Sequence, residues 1–200
     1  MEVDELEKLI EGGVETPQLD FKESIPWYVR GFAKDLLAMS NTQDGGRIII
    51  GVAEEKNGSF SRKGITPEHK ASYKIDEMKD QMARYADPFV EFSVVFQKDK
   101  DGVEYGILRV EPFREIPVMC RVPDSEYGLF AGGIYNRNTN KKVESALVSN
   151  SYDMRDIVER AMLKMRYRAK QIGYVLPTDT EGEPVMKVLE ERLKKERGDL

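Results

Sequence analysis

Residues 41–52 read NTQDGGRIIIGV, a polar segment followed by an apolar run. The polar start and paired glycines predict a turn, because glycine admits backbone angles that other residues avoid. Residues 47–52 predict a strand whose unbroken apolar run indicates burial on both faces of a sheet. The preceding residues 26–40 predict a helix that begins with Pro26 and carries core residues at helical spacing.

The flanking segments continue a mixed pattern of helices and strands. Residues 18–22 alternate, so they predict a strand with Leu19 and Phe21 on the inner face and Asp20 and Lys22 on the other. This order predicts an α+β fold: a mixed, mostly antiparallel sheet covered by helices, with a C-terminal helical appendage. Other strands are predicted at 90–97, 105–110, 116–122 and 129–136, and other helices at 3–10, 75–86, 152–172 and 185–197.

Composition limits the chemistry and the location. One histidine and one cysteine are too few for a zinc site of those ligands, and no common phosphate-binding loop occurs. We interpret His69 as a solvated loop residue, and the lone Cys120 as typical of the reducing cytoplasm. No apolar run approaches the roughly 20 residues of a membrane span, and the acidic N-terminal segment is unlike a signal peptide. We expect one domain over residues 1–173, then a linker and short helix over 174–200.

Charge is distributed unevenly along the chain. The net charge is −5, yet residues 134–170 contain nine lysines and arginines against four acids. Local patches rather than total charge govern contact with a polyanion. We therefore predict a basic face with two parts, a polar turn over 136–142 and a stripe on the long helix. Its residues are Arg137, Lys141, Lys142, Arg160, Lys164 and Arg168.

Three segments together carry a family resemblance: residues 15–22 (ETPQLDFK), 34–52, which include the opening stretch, and 132–140 (GGIYNRNTN). In this order they resemble the Schlafen/AlbA-like family over about residues 10–165. The resemblance implies nucleic-acid binding on an α+β scaffold. In one branch of the family it also implies metal-dependent RNA cleavage by three carboxylates.

Those carboxylates fall on Glu15, Asp20 and Glu54 in this sequence, with Glu55 as a substitute for the last. Two departures are visible: an aspartate replaces the usual glutamate at position 20, and Ala53 precedes the third acid. Read from the residues alone, three carboxylates beside Lys22 would bind Mg²⁺ or Mn²⁺ through oxygen. Lys22 would neutralise phosphate charge.

Three functions follow from these observations. The first is a nucleic-acid-binding protein, with DNA or RNA as its ligand and RNA the preferred expectation. The second is a divalent-metal-dependent endoribonuclease that uses Glu15, Asp20, Lys22 and Glu54. The third is a non-enzymatic dimeric transcriptional regulator or interaction module. A homodimer is expected because a lone short helix over 185–197 would expose Val185, Val188, Leu189 and Leu193.

Overall fold

A computed structural model gives the fold and describes residues 3–138 and 143–174. The helices in these residues are α1 (Val3–Gly12), α2 (Val29–Ser40), α3 (Pro67–Lys70), α4 (Ile75–Met82) and α5 (Ser151–Gln171). The strands are β1 (Leu19–Lys22), β2 (Gly46–Ile50), β3 (Val52–Glu54), β4 (Phe60–Arg62), β5 (Ala86–Asp87), β6 (Phe92–Lys98), β7 (Glu104–Val110), β8 (Met119–Cys120), β9 (Tyr135–Asn138) and β10 (Glu144–Leu147).

The main sheet has four strands in the order β1-β2-β7-β6. β1 and β2 run parallel, whereas β2–β7 and β7–β6 are antiparallel pairs. Three antiparallel ribbons, β3–β4, β5–β8 and β9–β10, extend the structure. The predicted α+β fold with a mixed, mostly antiparallel sheet is therefore confirmed.

β2 is buried on both faces, as its unbroken apolar run predicts. Ile48 and Ile50 pack into a large core with α2 and α4. Ile49 points to the other face, into a smaller core with α1. The alternation of side chains along a strand divides the run between these two cores.

The turn before β2 requires glycine at position 45. Gly45 has a φ of +71°, and a Cβ there would lie 2.1 Å from the carbonyl oxygen of Val110. Only glycine fits this position without displacing the backbone of β7. The predicted role of this glycine, a positive φ in the turn, is confirmed.

One sequence prediction for the second half of the chain is wrong. Residues 136–142 were expected to be a polar turn, but β9 continues through Asn138 and pairs with β10. The apolar residues of α5 are only partly buried. Of its helix residues Ile157 and Ala161 are buried, whereas Met154, Val158, Met162 and Met165 are exposed.

The chain divides into two compact units, Met1–Ala161 and Met162–Leu200. The first contains the sheet and both cores. The predicted helix at 185–197 lies outside the described residues, and the predicted boundary at 173 stays a prediction. In the described part of the chain, no helix combines the length and apolar character that crossing a bilayer requires.

Candidate functional site

Asp20 lies at the centre of a buried ion-pair cluster beneath α2. Its Oδ2 is 3.1 Å from Lys22 Nζ, and its Oδ1 is 3.0 Å from Arg137 Nη1. Lys22 Nζ is also 2.7 Å from Oδ2 of Asp35 on α2. Ser145 on β10 completes the group, since its hydroxyl donates to Asp35 Oδ1 at 2.7 Å and accepts from Arg137 Nη1 at 3.3 Å. We call these five residues the Asp20 cluster.

β1 directs the Asp20 cluster to one face of the sheet. Leu19 and Phe21 enter the core beside α1, as predicted, so Asp20 and Lys22 face the opposite side. α2 covers that side and supplies Asp35. Phe32 and Asp35 are three residues apart on this helix, so they share its buried face.

Burial and charge together set the protonation of Lys22 in the Asp20 cluster. Asp20 is 6% exposed and Arg137 is 4% exposed. Burial alone lowers the pKa of Lys22, but the charges of Asp35 and Asp20 outweigh it, and the pKa is raised above that of an ordinary lysine. Lys22 therefore stays protonated at neutral pH and cannot act as a general base. Two acids and two bases leave the cluster without net charge.

Arg137 also joins the β9–β10 ribbon to the chain before β1. Its Nη2 donates to the carbonyl oxygens of Leu19 at 3.4 Å and Thr16 at 3.5 Å. Tyr135, two residues earlier on β9, is fully buried on the same face. Arg137 was predicted to contact phosphate from a polar turn. Its predicted position in a polar turn is wrong, because Arg137 belongs to β9 and its side chain is buried.

The three predicted metal ligands have separate roles in the structure. Glu15 Oε1 accepts a hydrogen bond from the backbone nitrogen of Phe21 at 3.2 Å. Glu54 is exposed at the end of β3, opposite Phe60 of β4. Among the described residues, no group of three or more acidic, histidine or cysteine side chains is arranged to hold a metal ion.

The surroundings of Asp20 do not fit a divalent cation. Lys22 and Arg137 already place two positive charges within 3.1 Å of its carboxylate oxygens. A divalent ion there would meet repulsion from both, and the buried Arg137 would lose a charged partner. Metal-dependent cleavage by Glu15, Asp20 and Glu54 therefore stays a prediction of the sequence.

Arg160 is held by the protein rather than presented to solvent. Its side chain is 11% exposed, and Nη1 donates at 2.6 Å to the carbonyl oxygen of Asn41 at the end of α2. Nη2 pairs with Asp156 at 2.9 Å. The prediction that Arg160 belongs to an exposed basic stripe is therefore wrong. Lys141 and Lys142 lie outside the described residues.

Asn41 and Thr42 have structural roles at the end of α2. The fully buried Asn41 amide donates to the carbonyl oxygens of Val118 and Tyr135, both at 2.9 Å, and accepts from the backbone nitrogen of Val118 at 2.8 Å. Thr42 Oγ1 lies 2.6 Å from the Gly45 carbonyl oxygen. These bonds join the end of α2 to β8 and β9.

The last part of α5 is the strongest basic segment in the described residues. Positions 162–174 contain four basic side chains and no acid, and Tyr167 and Tyr174 are exposed among them. Two of the four bases were predicted. The other two do not share the four-residue spacing of that pair, but the absence of acids over positions 162–174 could have identified them. The bases are Lys164, Arg166, Arg168 and Lys170.

Comparisons with known proteins give the family. The model of the Schlafen, AlbA_2 family matches residues 15–146, which is more than half of the chain. The chain belongs to this family. The match contains β1, α2, β2 and the β9–β10 ribbon, so it includes the whole Asp20 cluster.

A solved structure and the curated proteins add little to this assignment. The crystal structure of the DIP2311 protein from Corynebacterium diphtheriae is similar at 17% identity and a TM-score of 0.47. The match covers 76% of this chain and 27% of that one, so the present chain spans about a quarter of that protein. Comparison with curated proteins gave no significant match.

Proposed function

We propose that this chain is a nucleic-acid-binding protein that holds the phosphate backbone, with RNA as its first expected ligand, along positions 162–174. Membership of the Schlafen, AlbA_2 family supports nucleic-acid interaction in general. The observation that carries the proposal is the run of four bases and two exposed tyrosines without an acid. Cations bind phosphates and aromatic rings stack on unpaired bases, and neither contact requires a particular sequence.

The overall acidity of the chain does not oppose this proposal. A net charge of −5 weakens attraction at long range, but salt screens such fields beyond about 8–10 Å. The contacts that determine affinity form closer than this, at the basic segment itself. Moderate affinity with a marked salt dependence is the expected behaviour.

The experiment is a salt titration of binding to labelled single-stranded RNA and duplex DNA. The variant Lys164→Gln/Arg168→Gln removes two bases that are four residues apart on α5. We expect weaker binding and a shallower slope of log K against log salt, by roughly 0.7 per lost contact for a single strand. The matched control, Lys56→Gln/Lys98→Gln, removes the same charge from exposed positions elsewhere. Equal affinity and slope for the wild type and the α5 variant would contradict the proposal.

A non-enzymatic homodimer is the second candidate, and one observation favours it. Met162 and Met165 lie within about 60° of each other around α5 and are both exposed. Large apolar side chains exposed on one helix face are costly in water, and a second copy of the helix would cover them. This candidate is compatible with the first, because the bases lie on both flanks of the apolar face. A cytoplasmic location is proposed with it, on the single cysteine alone.

A further inference from the structure

A cleft of about 640 Å³ lies between the start of α2 and α4. Aromatic, amide and basic side chains line it, together with one acid, Glu77, which pairs with Lys74. The cleft belongs to the first compact unit, whereas positions 162–174 belong to the second. The residues that matter are Trp27, Tyr28, Arg30, Lys74, Gln81 and Arg84.

Tyr28 presents a fixed aromatic surface at this cleft. Its ring lies directly over Gly31, where even an added Cβ would come within 2.1 Å of the tyrosine Cζ. Phe32 and Tyr127 contact the ring edge-on, with centroids 6.2 and 6.3 Å away. The ring is nevertheless 45% exposed. Because its orientation is held by neighbours, stacking on it would cost little side-chain entropy.

Gln81 is oriented by the tryptophan beside it. The indole Nε1 of Trp27 donates to Gln81 Oε1 at 2.8 Å, while the indole ring stacks on Phe32 with centroids 4.9 Å apart. The oxygen of the amide is thus fixed toward Trp27. Its NH₂ group therefore faces away from the indole, where it can donate to a ligand carbonyl or ring nitrogen.

Arg84 supplies the charge that is available to a ligand. Arg30 pairs with Asp124 and Glu126, and Lys74 pairs with Glu77. Arg84 is exposed and makes no side-chain hydrogen bond or ion pair with the residues that the structure describes. An arginine of this kind beside an aromatic surface suits a phosphate attached to a stacked base.

We propose that this cleft binds one unpaired base of a single-stranded nucleic acid. The base stacks on Tyr28, the amide of Gln81 donates to its edge, and Arg84 contacts the adjoining phosphate. A duplex keeps its bases stacked internally, so the cleft selects single strands. This inference rests on the proposed function and gives it a second, base-contacting surface.

Intrinsic fluorescence can detect binding in this cleft, because Trp27 lines it and is the only tryptophan in the sequence. We would measure quenching of the intrinsic fluorescence by a short oligouridylate and, in parallel, anisotropy of the same strand carrying a label. We expect saturable quenching by the single strand and little by a matched duplex. Stacking contributes about 1–3 kcal/mol per base, so Tyr28→Ala should weaken binding about fivefold or more. Tyr28→Phe keeps the ring and should stay within about twofold of the wild type.

Arg84→Ala gives a test that does not depend on the packing of Tyr28, since its side chain is exposed. It should weaken oligouridylate binding and reduce the salt slope. The controls are Phe89→Ala and Lys98→Ala, an exposed aromatic and an exposed base outside the cleft. Both should bind as the wild type does.

The outcomes separate this inference from the proposed function. If the wild type binds RNA by anisotropy but Trp27 is not quenched and Tyr28→Ala binds equally, the cleft assignment is overturned and the proposed function stands. Quenching by polyglutamate equal to that by RNA would also overturn it, by making the cleft a general anion or peptide site. If the wild type binds no nucleic acid at all, the proposed function fails first.

Discussion

The guanidinium of Arg137 lies 3.0 Å from the carboxylate of Asp20, and this ion pair joins two buried residues that are 117 positions apart in the chain. One partner is on the edge strand β1 and the other is on β9, outside the main sheet. The pair therefore fixes the β9–β10 ribbon against the sheet. Buried ion pairs of this kind add little net stability, but removing one partner leaves the other charge buried.

We expect Asp20→Asn to lower the free energy of unfolding by roughly 3 kcal/mol, since Arg137 then loses its closest counter-charge. Urea denaturation followed by circular dichroism measures the change. Glu77→Gln is the matched control, because it neutralises an exposed partner of Lys74 and should cost less than about 1 kcal/mol.

A paired substitution separates charge from packing. Asp20→Leu/Arg137→Met replaces both buried charges with apolar side chains and should recover much of the stability lost in Asp20→Asn. If Asp20→Asn unfolds at the same urea concentration as the wild type, the ion pair does not hold the ribbon.

Much of the fold could be predicted from local sequence alone. The apolar run of β2 indicates a strand buried on both faces, and the alternation over 18–22 places Asp20 and Lys22 away from the α1 core. Both inferences depend only on the period of a strand, which is a local property. Both inferences are correct because the tertiary packing around β1 and β2 agrees with the two-residue alternation of their side chains.

The Asp20 cluster could not be predicted in full, for two physical reasons. The composition of residues 136–140 favours a turn, and only pairing with β10 extends β9 far enough to bury Arg137. Asp35 could have been noticed, because it lies between Phe32 and Met39 on the buried face of α2. An acid at such a position needs a cation partner, but sequence does not say which one.

We expect Arg160→Ala to reduce stability without changing affinity for RNA. The substitution removes a 2.6 Å hydrogen bond to the Asn41 carbonyl oxygen and the position of the guanidinium over the Phe113 ring, 5.9 Å from its centroid. Loss of about 1–3 kcal/mol is the usual cost of leaving a buried acceptor without its charged donor. Thermal unfolding and RNA anisotropy on the same sample measure the two effects. A large loss of RNA affinity with unchanged stability would restore the sequence-based assignment of Arg160 to the binding face.

The thiol of Cys120 should be unreactive in the folded protein at pH 8. Burial raises its pKa above the ordinary thiol value, although a backbone hydrogen bond with Val122 partly opposes this, and the residue is 1% exposed. The pKa of this thiol is higher in the folded protein than in the unfolded protein. Its contribution to the free energy of unfolding is therefore complete below the unfolded-state pKa and is lost as the pH rises through the folded-state pKa. Thiol labelling with and without urea should show reaction on unfolding only. The stability of the wild type should also fall more than that of Cys120→Ala as the pH increases beyond the ordinary thiol pKa.

Self-association through α5 can be tested with two neighbouring substitutions. Met165→Lys places a charge on the proposed contact face and should yield a monomer at concentrations where the wild type is dimeric, on the order of tens of micromolar. Leu163→Lys is the control, because two residues along a helix are separated by about 200°. Sedimentation velocity distinguishes the two species. A monomeric wild type at these concentrations, or equal dissociation by both variants, would contradict the proposal.

Binding to RNA should not depend on divalent metal. The Asp20 carboxylate faces Lys22 and Arg137, so we expect equal affinity in Mn²⁺ and in EDTA at constant ionic strength, and intact RNA after incubation in either. Anisotropy and denaturing gels of the same labelled strand provide the two readouts. Glu54→Gln offers a matched test, since this side chain is exposed at the end of β3. RNA cleavage that requires Mn²⁺ and disappears in Glu54→Gln would show that the three carboxylates do converge when RNA is bound. The nuclease prediction made from the sequence would then replace the metal-independent interpretation.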